Sequence, residues 1–223
     1  TRSGKRSHAS TAPAPMTTRP QRLGILGGTL DPVHFGHLDA AEAALQALAL
    51  DELWLVPSHD PPHRLLDPLA SPFHRFAMVS LVAAEHPAYR ASEIELRRAG
   101  PSYTIDTLKE LHGQGWQPAQ LFFIVGVDAF AEVASWRAYP AVLEAANFVV
   151  IPRAGAAAQV ALHAPELATR VTAVGAAPAN SAETRIFAVE GRTRDVSSSL
   201  IRQRLRHNES IADLVPAAVE RHI

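Results

Sequence analysis

Apolar residues along this chain follow two periods. Short unbroken runs are Leu23–Leu26, Leu53–Val56, Leu121–Val125 and Phe148–Ile151, each with glycine, proline or charge nearby. Runs of that length predict strands buried on both faces. Weaker runs at Arg90–Leu96 and Arg185–Val189 predict two more strands. Between them apolar residues return at helical spacing. Leu38, Ala41, Leu45 and Leu48 predict a helix over Phe35–Leu48, and similar patterns predict helices over Phe73–Glu85, Ala129–Ser135, Tyr139–Ala146 and Ser198–Arg206. Ser102 and Thr104 are available caps for a helix running to His112 after the turn at Gly100-Pro101. Ser58–Pro72, rich in proline, predicts a loop, and the alanine-rich Pro152–Ala179 predicts irregular structure. No internal repeat is visible. Strands alternating with helices predict an α/β fold, a doubly wound parallel sheet with helices on both faces. Ligands in such sheets bind outside the carboxyl ends of the strands, at the switch point.

Composition narrows the picture. The 223 residues are 47% hydrophobic and 19% charged, which suits a globular core. The absence of cysteine excludes disulfides, thiolate metal ligands and a cysteine nucleophile. A net charge of −1 supplies no basic field for nucleic acid, and charges or prolines interrupt every apolar run before it reaches membrane-spanning length. A cytoplasmic protein without nucleic-acid or membrane partners is expected. Residues 1–20 carry several basic residues, no acid and no continuous apolar core, so a disordered leader is expected there, with residues 21–223 forming a single domain.

The first strand delivers the chain into Gly27-Gly28-Thr29-Leu30-Asp31-Pro32-Val33-His34-Phe35-Gly36-His37. Glycines directly after a strand let backbone N–H groups approach an anion, and the following helix start favours phosphate. His34 and His37, three apart, share a face if a helical turn begins there, so both imidazoles can serve one phosphate; the alternative is a pair of polar residues at a helix start. A second string, Val196-Ser197-Ser198-Ser199-Leu200-Ile201-Arg202, places hydroxyls at another helix start with an arginine one turn on.

These strings resemble known ones. The first is similar to the HxGH signature of a nucleotidyltransferase superfamily, and more closely to the GGTFDPxHxGH block of bacterial nicotinate-nucleotide adenylyltransferases, with Leu30 where phenylalanine is usual. The second resembles their ISSTxIR motif, with Val196 and Ser199 exchanged. Pro61-Pro62-His63-Arg64 resembles their PPHK/R loop, Gly100–Leu108 their GPSYTxDTL block, and Gly126-Val127-Asp128 with Trp136 their GxD and downstream tryptophan. The resemblance runs from Leu23 to Arg206 and implies a Rossmann-like fold.

It also implies an activity: transfer of the AMP part of ATP to nicotinate mononucleotide, giving deamido-NAD and pyrophosphate in NAD biosynthesis. On that resemblance His34 and His37 are the catalytic residues, holding the α-phosphate. Gly27, Gly28, Thr29 and Gly36 belong to ATP binding, and Ser198, Ser199 and Arg202 grip the departing phosphates. Asp128 either bonds a ribose or orients its turn. Thr104 and neighbouring N–H groups would read the substrate carboxylate. Trp136 would stack on the pyridine ring or pack in the core, and Tyr103 would line the pocket or pack. Arg64 and Arg75 are candidates for the mononucleotide phosphate, with solvated arginines the default. Arg97-Arg98 and Arg192–Asp195 are taken as surface charge. Mg²⁺ is expected on the triphosphate, without metal ligands from the protein. No general base is assigned, because the attacking phosphate is already an anion. Rival readings are an adenylyltransferase for nicotinamide mononucleotide or pantetheine phosphate, and a catalytically silent nucleotide-binding regulator. The sequence leaves the oligomeric state open.

Overall fold

The computed structural model describes residues 22–62, 70–152, 165–174, 183–191 and 193–223. Seven strands form one sheet: β1 (Leu23–Gly28), β2 (Glu52–Pro57), β3 (Tyr89–Ala91), β4 (Leu121–Gly126), β5 (Asn147–Ile151), β6 (Val171–Thr172) and β7 (Ile186–Ala188). Their order is β3-β2-β1-β4-β5-β7-β6, and all six pairings are parallel. From β1 the chain moves outward to β3, then returns to β4 on the other side. The switch point therefore lies between β1 and β4, where Leu23 to Leu26 pair with Leu121 to Ile124.

Side chains alternate across the sheet into two cores. Leu26, Phe122, Ile124, Val149 and Phe187 face one core; Leu23, Ile25, Leu121, Phe123, Phe148 and Val150 face the other. The first is roofed by α1 (Phe35–Ala47), α2 (Pro72–Ala84) and residues further along the chain such as Ile201 and Val219. The second is roofed by α3 (Thr104–Gly113), through Ile105, Leu108 and Leu111. Two covered faces leave no solvated side for polar residues, hence the unbroken apolar runs in β4 and β5.

Several boundaries differ from the sequence expectation. The third strand pairs only over Tyr89–Ala91, because β3 is an edge strand whose sole partner is β2; the chain then turns at Glu93, whose carbonyl accepts from Leu96 and Arg97 N–H. The irregular segment contains structure within its described part, α5 (Pro165–Ala168) and β6. Helix α3 is capped by neither Ser102 nor Thr104: Tyr103 is its N-cap and makes no side-chain cap bond. Over Ala129–Ser135 there is a short helix, α4 (Val127–Ala131), then a 3-10 turn at Val133–Ser135. The expected Tyr139–Ala146 helix is a 3-10 turn over Ala141–Glu144. Helix α6 (Ser198–Arg206) matches its prediction, and α7 (Ala217–His222) follows it. The leader, residues 1–20, falls outside the described residues.

Candidate active site

The turn leaving β1 is conformationally expensive. Gly28 has φ +154°, with nothing within 4 Å of a Cβ placed on it, so glycine is there for backbone freedom and not for space. Leu30 has φ 51°, a left-handed conformation that costs a non-glycine residue of order 1 kcal/mol. Its side chain is 2% exposed, so core burial holds the turn in place. Thr29 is also buried, and its carbonyl accepts from Nη1 of Arg75 at 2.8 Å.

The chain then enters α1 with His34 as N-cap in extended conformation. The His34 ring stacks on that of His37, centroids 3.7 Å apart and planes at 27°. The His34 N–H donates to Nδ1 of His37 at 3.3 Å, which leaves the His37 ring proton on Nε2. His34 is buried, and burial pushes its pKa down to about 4 against the smaller opposing pull of Asp39. At neutral pH it is an uncharged imidazole. Gly36 has a second reason to be glycine besides access to an anion: a Cβ there would sit 3.2 Å from the Arg194 carbonyl and 3.2 Å from the His34 ring.

The start of α6 reaches this turn from far along the chain. Ser197 is the N-cap, its hydroxyl accepting from Leu200 N–H at 3.1 Å, the capping role open to any of the consecutive hydroxyls in that string. Ser198 is buried and donates to the Pro32 carbonyl at 3.1 Å. Its hydroxyl therefore ties α6 to the first turn. Arg202 donates from Nη1 to the Asp31 carbonyl at 2.7 Å and from Nη2 to Ser199 at 3.2 Å; Ser199 is exposed. Arg194, read from sequence as surface charge, makes a two-pronged pair with Asp39 at 2.7 and 3.0 Å and lies 3.8 Å above the Phe35 ring. Asp39 is accordingly held below the usual carboxylate range by Arg194.

On the far side of the switch point, Tyr103, Thr104 and Trp136 line one cleft of about 390 Å³ together with Pro62, Ser102, Ala129, Glu132, Ser135 and Arg137. Trp136 meets Phe123 edge to face at 6.1 Å, and the Arg137 guanidinium lies 4.6 Å over the Tyr103 ring. Asp128, exposed in the first turn of α4, stands at the carboxyl end of β4. Arg64 lies outside the described residues. Arg75 does not face a substrate: it is 0% exposed, and its guanidinium donates to the carbonyls of Thr29, Ser58, His59 and Ala70. Its sequence neighbourhood gave no sign of this, since those acceptors belong to three separate segments. Among the described residues no three histidines, aspartates or glutamates converge as a metal site. Asp31, a carboxylate within the turn after β1, accepts from Ala70 N–H. Such a donor set fits a cation carried on substrate phosphates better than one caged by protein.

The cytidylyltransferase-like family pattern matches residues 25–204. A probable nicotinate-nucleotide adenylyltransferase of Roseiflexus sp. (strain RS-1) is 39% identical over 201 residues, 90% of this chain and 94% of its own. One of Synechococcus sp. (strain JA-2-3B'a(2-13)) is 41% identical over 206 residues, 91% of this chain and 94% of its own. Among solved structures, Plasmodium falciparum nicotinic acid mononucleotide adenylyltransferase complexed with APC superposes with TM-score 0.64 at 17% identity, covering 91% of this chain and 94% of that one. The same protein complexed with NaAD gives 0.63 at 18% identity, over 91% and 94%. At those identities the structural likeness is one of fold. Sequence identity over nearly the full length carries more: this chain belongs to the nicotinate-nucleotide adenylyltransferase family.

Proposed function

We propose that the protein transfers the adenylyl group of ATP to nicotinate mononucleotide, forming nicotinate adenine dinucleotide and pyrophosphate in NAD biosynthesis. The observation that carries this reading is the convergence of two helix starts, α1 and α6, on one strained turn at the switch point, beside an aromatic cleft. The mononucleotide phosphate, already an anion, attacks the α-phosphorus of ATP in line; its new P–O bond replaces the bond to pyrophosphate. Catalysis then consists of holding the groups in line and balancing charge.

His37 donates from Nε2 to an α-phosphate oxygen, and its tautomer is set for this by the His34 N–H. Neutral His34 stacks on it and, with the one ring N–H that a neutral imidazole keeps, is the second donor to the α-phosphate. Gly27, Gly28, Thr29 and Gly36 form the backbone cradle, with Asp128 at the ribose. Ser199 and Arg202 hold the departing phosphates, Ser198 contributing through its docked position. Mg²⁺, when bound, would be carried by the triphosphate and not by protein ligands, and would supply positive charge to the transferring and departing phosphates. Across the switch point Thr104 and the first turn of α3 receive the pyridine carboxylate, Trp136 lies against the ring, and Tyr103 closes the wall; Arg64 takes the mononucleotide phosphate. No helix among the described residues is long and apolar enough to cross a membrane. Both substrates are small and polar, so we place the enzyme in the cytoplasm.

Supplying ATP and Mg²⁺ with either nicotinate mononucleotide or its amide, while following pyrophosphate release, tests the assignment. A polar pocket that loses a matched group loses a few kcal/mol, so the acid should exceed the amide in kcat/KM by about ten- to a hundredfold. Equal values for the two would refute the carboxylate pocket. Nucleotide binding without pyrophosphate release would point to a silent regulator.

A further inference from the structure

Two charged residues, Arg137 and Glu132, line the cleft that holds Thr104 and Trp136. Arg137 follows Trp136 in a tight turn, closed by the Tyr139 N–H donating to the Trp136 carbonyl at 3.1 Å. Within that turn Ala138 has φ 64°, a left-handed conformation unfavourable for alanine, so the surrounding structure must hold the turn in shape. The Arg137 side chain is 58% exposed and reaches the start of α3. Its guanidinium lies 4.6 Å over the Tyr103 ring, and its Nη1 stands 3.5 Å from Oδ2 of Asp106. Tyr103 is the N-cap of α3 and Asp106 belongs to its first turn, so the two groups that Arg137 touches flank Thr104 in the sequence. This corner of the protein therefore carries two carboxylates, Asp106 and Glu132, and one cation. An anionic substrate entering beside two carboxylates is repelled unless a cation meets it. The Asp106 contact is long and uses one nitrogen. A guanidinium has five N–H donors in a planar fork, so most of them remain available to a second carboxylate. The Tyr103 ring, meanwhile, gives that fork a face to rest on.

We propose that Arg137 is a specificity-determining residue: its guanidinium, resting over Tyr103 and shared with Asp106, takes the pyridine carboxylate of the mononucleotide and so selects the acid over the amide. The inference rests on the pocket assignment made above. A carboxylate accepts from two prongs of the fork at once, and its charge is matched. The amide is uncharged, and its NH₂ is a donor facing a group that has no acceptor, so it gains little from the same side chain. Arg137 therefore discriminates between the two substrates by charge, where Trp136 serves either of them by stacking.

The test is the ratio of kcat/KM for nicotinate mononucleotide to that for its amide, read by pyrophosphate release in wild type and four variants. Arg137→Met keeps a long apolar stem and removes the charge. It should lower the ratio about five- to tenfold, through a higher KM for the acid, with KM for the amide and for ATP within about twofold. Arg137→Lys keeps the charge but loses the fork, and should fall between the two. Asp106→Asn removes a competitor for the guanidinium, so the ratio should hold or rise. The double variant Asp106→Asn with Arg137→Met separates contact from simple neutralisation. If Arg137 touches the substrate, the double variant stays as unselective as Arg137→Met. Recovery of the wild-type ratio in the double variant overturns the proposal, because Arg137 would then act by cancelling Asp106 alone. An unchanged ratio in Arg137→Met overturns it too, as does an equal loss for acid and amide. In those cases a wild type that still prefers the acid leaves the pocket assignment standing. A wild type with no preference brings down the pocket assignment itself, so the two failures are distinguishable.

Discussion

His37 is the side chain whose loss should be most visible in turnover. Its Nδ1 is committed to the His34 N–H, so only Nε2 can face a phosphate. His37→Ala should lower kcat about a hundred- to a thousandfold, the cost of one donor to a charge-accumulating oxygen, with KM for ATP changing far less. His37→Asn should restore part of the loss; a folded alanine variant within a fewfold of wild type would end the role. His34 makes a separate prediction about pH. Unfolded, it titrates near 6.5; folded, near 4, because burial disfavours its charge. Between those values the unfolded chain binds the proton that the folded one refuses, so stability is full above 6.5 and falls as pH drops toward 4, by up to roughly 3 kcal/mol. His34→Asn should flatten that part of the curve in urea titrations across the range. Both histidines were legible in the sequence because a helix start is a local event, written in consecutive residues. Arg75 and Ser102 were not read correctly, as three of the four Arg75 carbonyl partners lie 16 to 46 positions away and those of Ser102 lie 42 to 43 away.

Helix α6 and helix α1 are joined by side chains and backbone at once. Ser198 binds Pro32, Arg202 binds Asp31, and Arg194 closes on Asp39 over the Phe35 ring. The Arg194 side chain is 51% exposed, so water screens the pair, and a double-mutant cycle of Asp39→Asn with Arg194→Ala should give a coupling of only about 0.5–1 kcal/mol. Its larger effect should be on ATP: either single variant loosens the approach to α6 and should raise KM for ATP several-fold, with the mononucleotide KM held. Unchanged ATP kinetics in both variants would make the pair purely ornamental to the site. Elements buried on two sides, β4 and β5, were legible to within a residue or two. The edge strands were not: β3 and β6 each have one neighbour, and a single partner ends pairing before the sequence pattern does. The two-residue β6 carries no periodicity to detect.

Across the whole molecule the switch point divides the labour. On the proposed assignment phosphate groups meet the β1–α1 side and the pyridine ring the cleft beyond β4, so changes on one side should leave the other nearly intact. Trp136→Ala should raise KM for either mononucleotide well above any change for ATP; an effect confined to ATP would move Trp136 out of the pyridine cleft. The fold class was legible from strand–helix alternation alone, and the candidate site was proposed from motifs that open helices at strand ends. Only the assembled sheet revealed which distant segments complete it. Ser198 meets Pro32 across 166 positions and Arg202 meets Asp31 across 171, while the Phe35 N–H is taken by the Leu214 carbonyl. A chain emerging from the ribosome can pair β1 with β2, and later with β4, while α6 is still being made. At that moment the sheet exists and the phosphate turn lacks half its walls. Such sequence-distant closures are slow to find, since the intervening chain must already be ordered to bring them together. Turnover should thus be the last native property to appear in refolding, behind secondary structure and core fluorescence, so that activity in this protein reports a finished molecule and not merely a folded sheet.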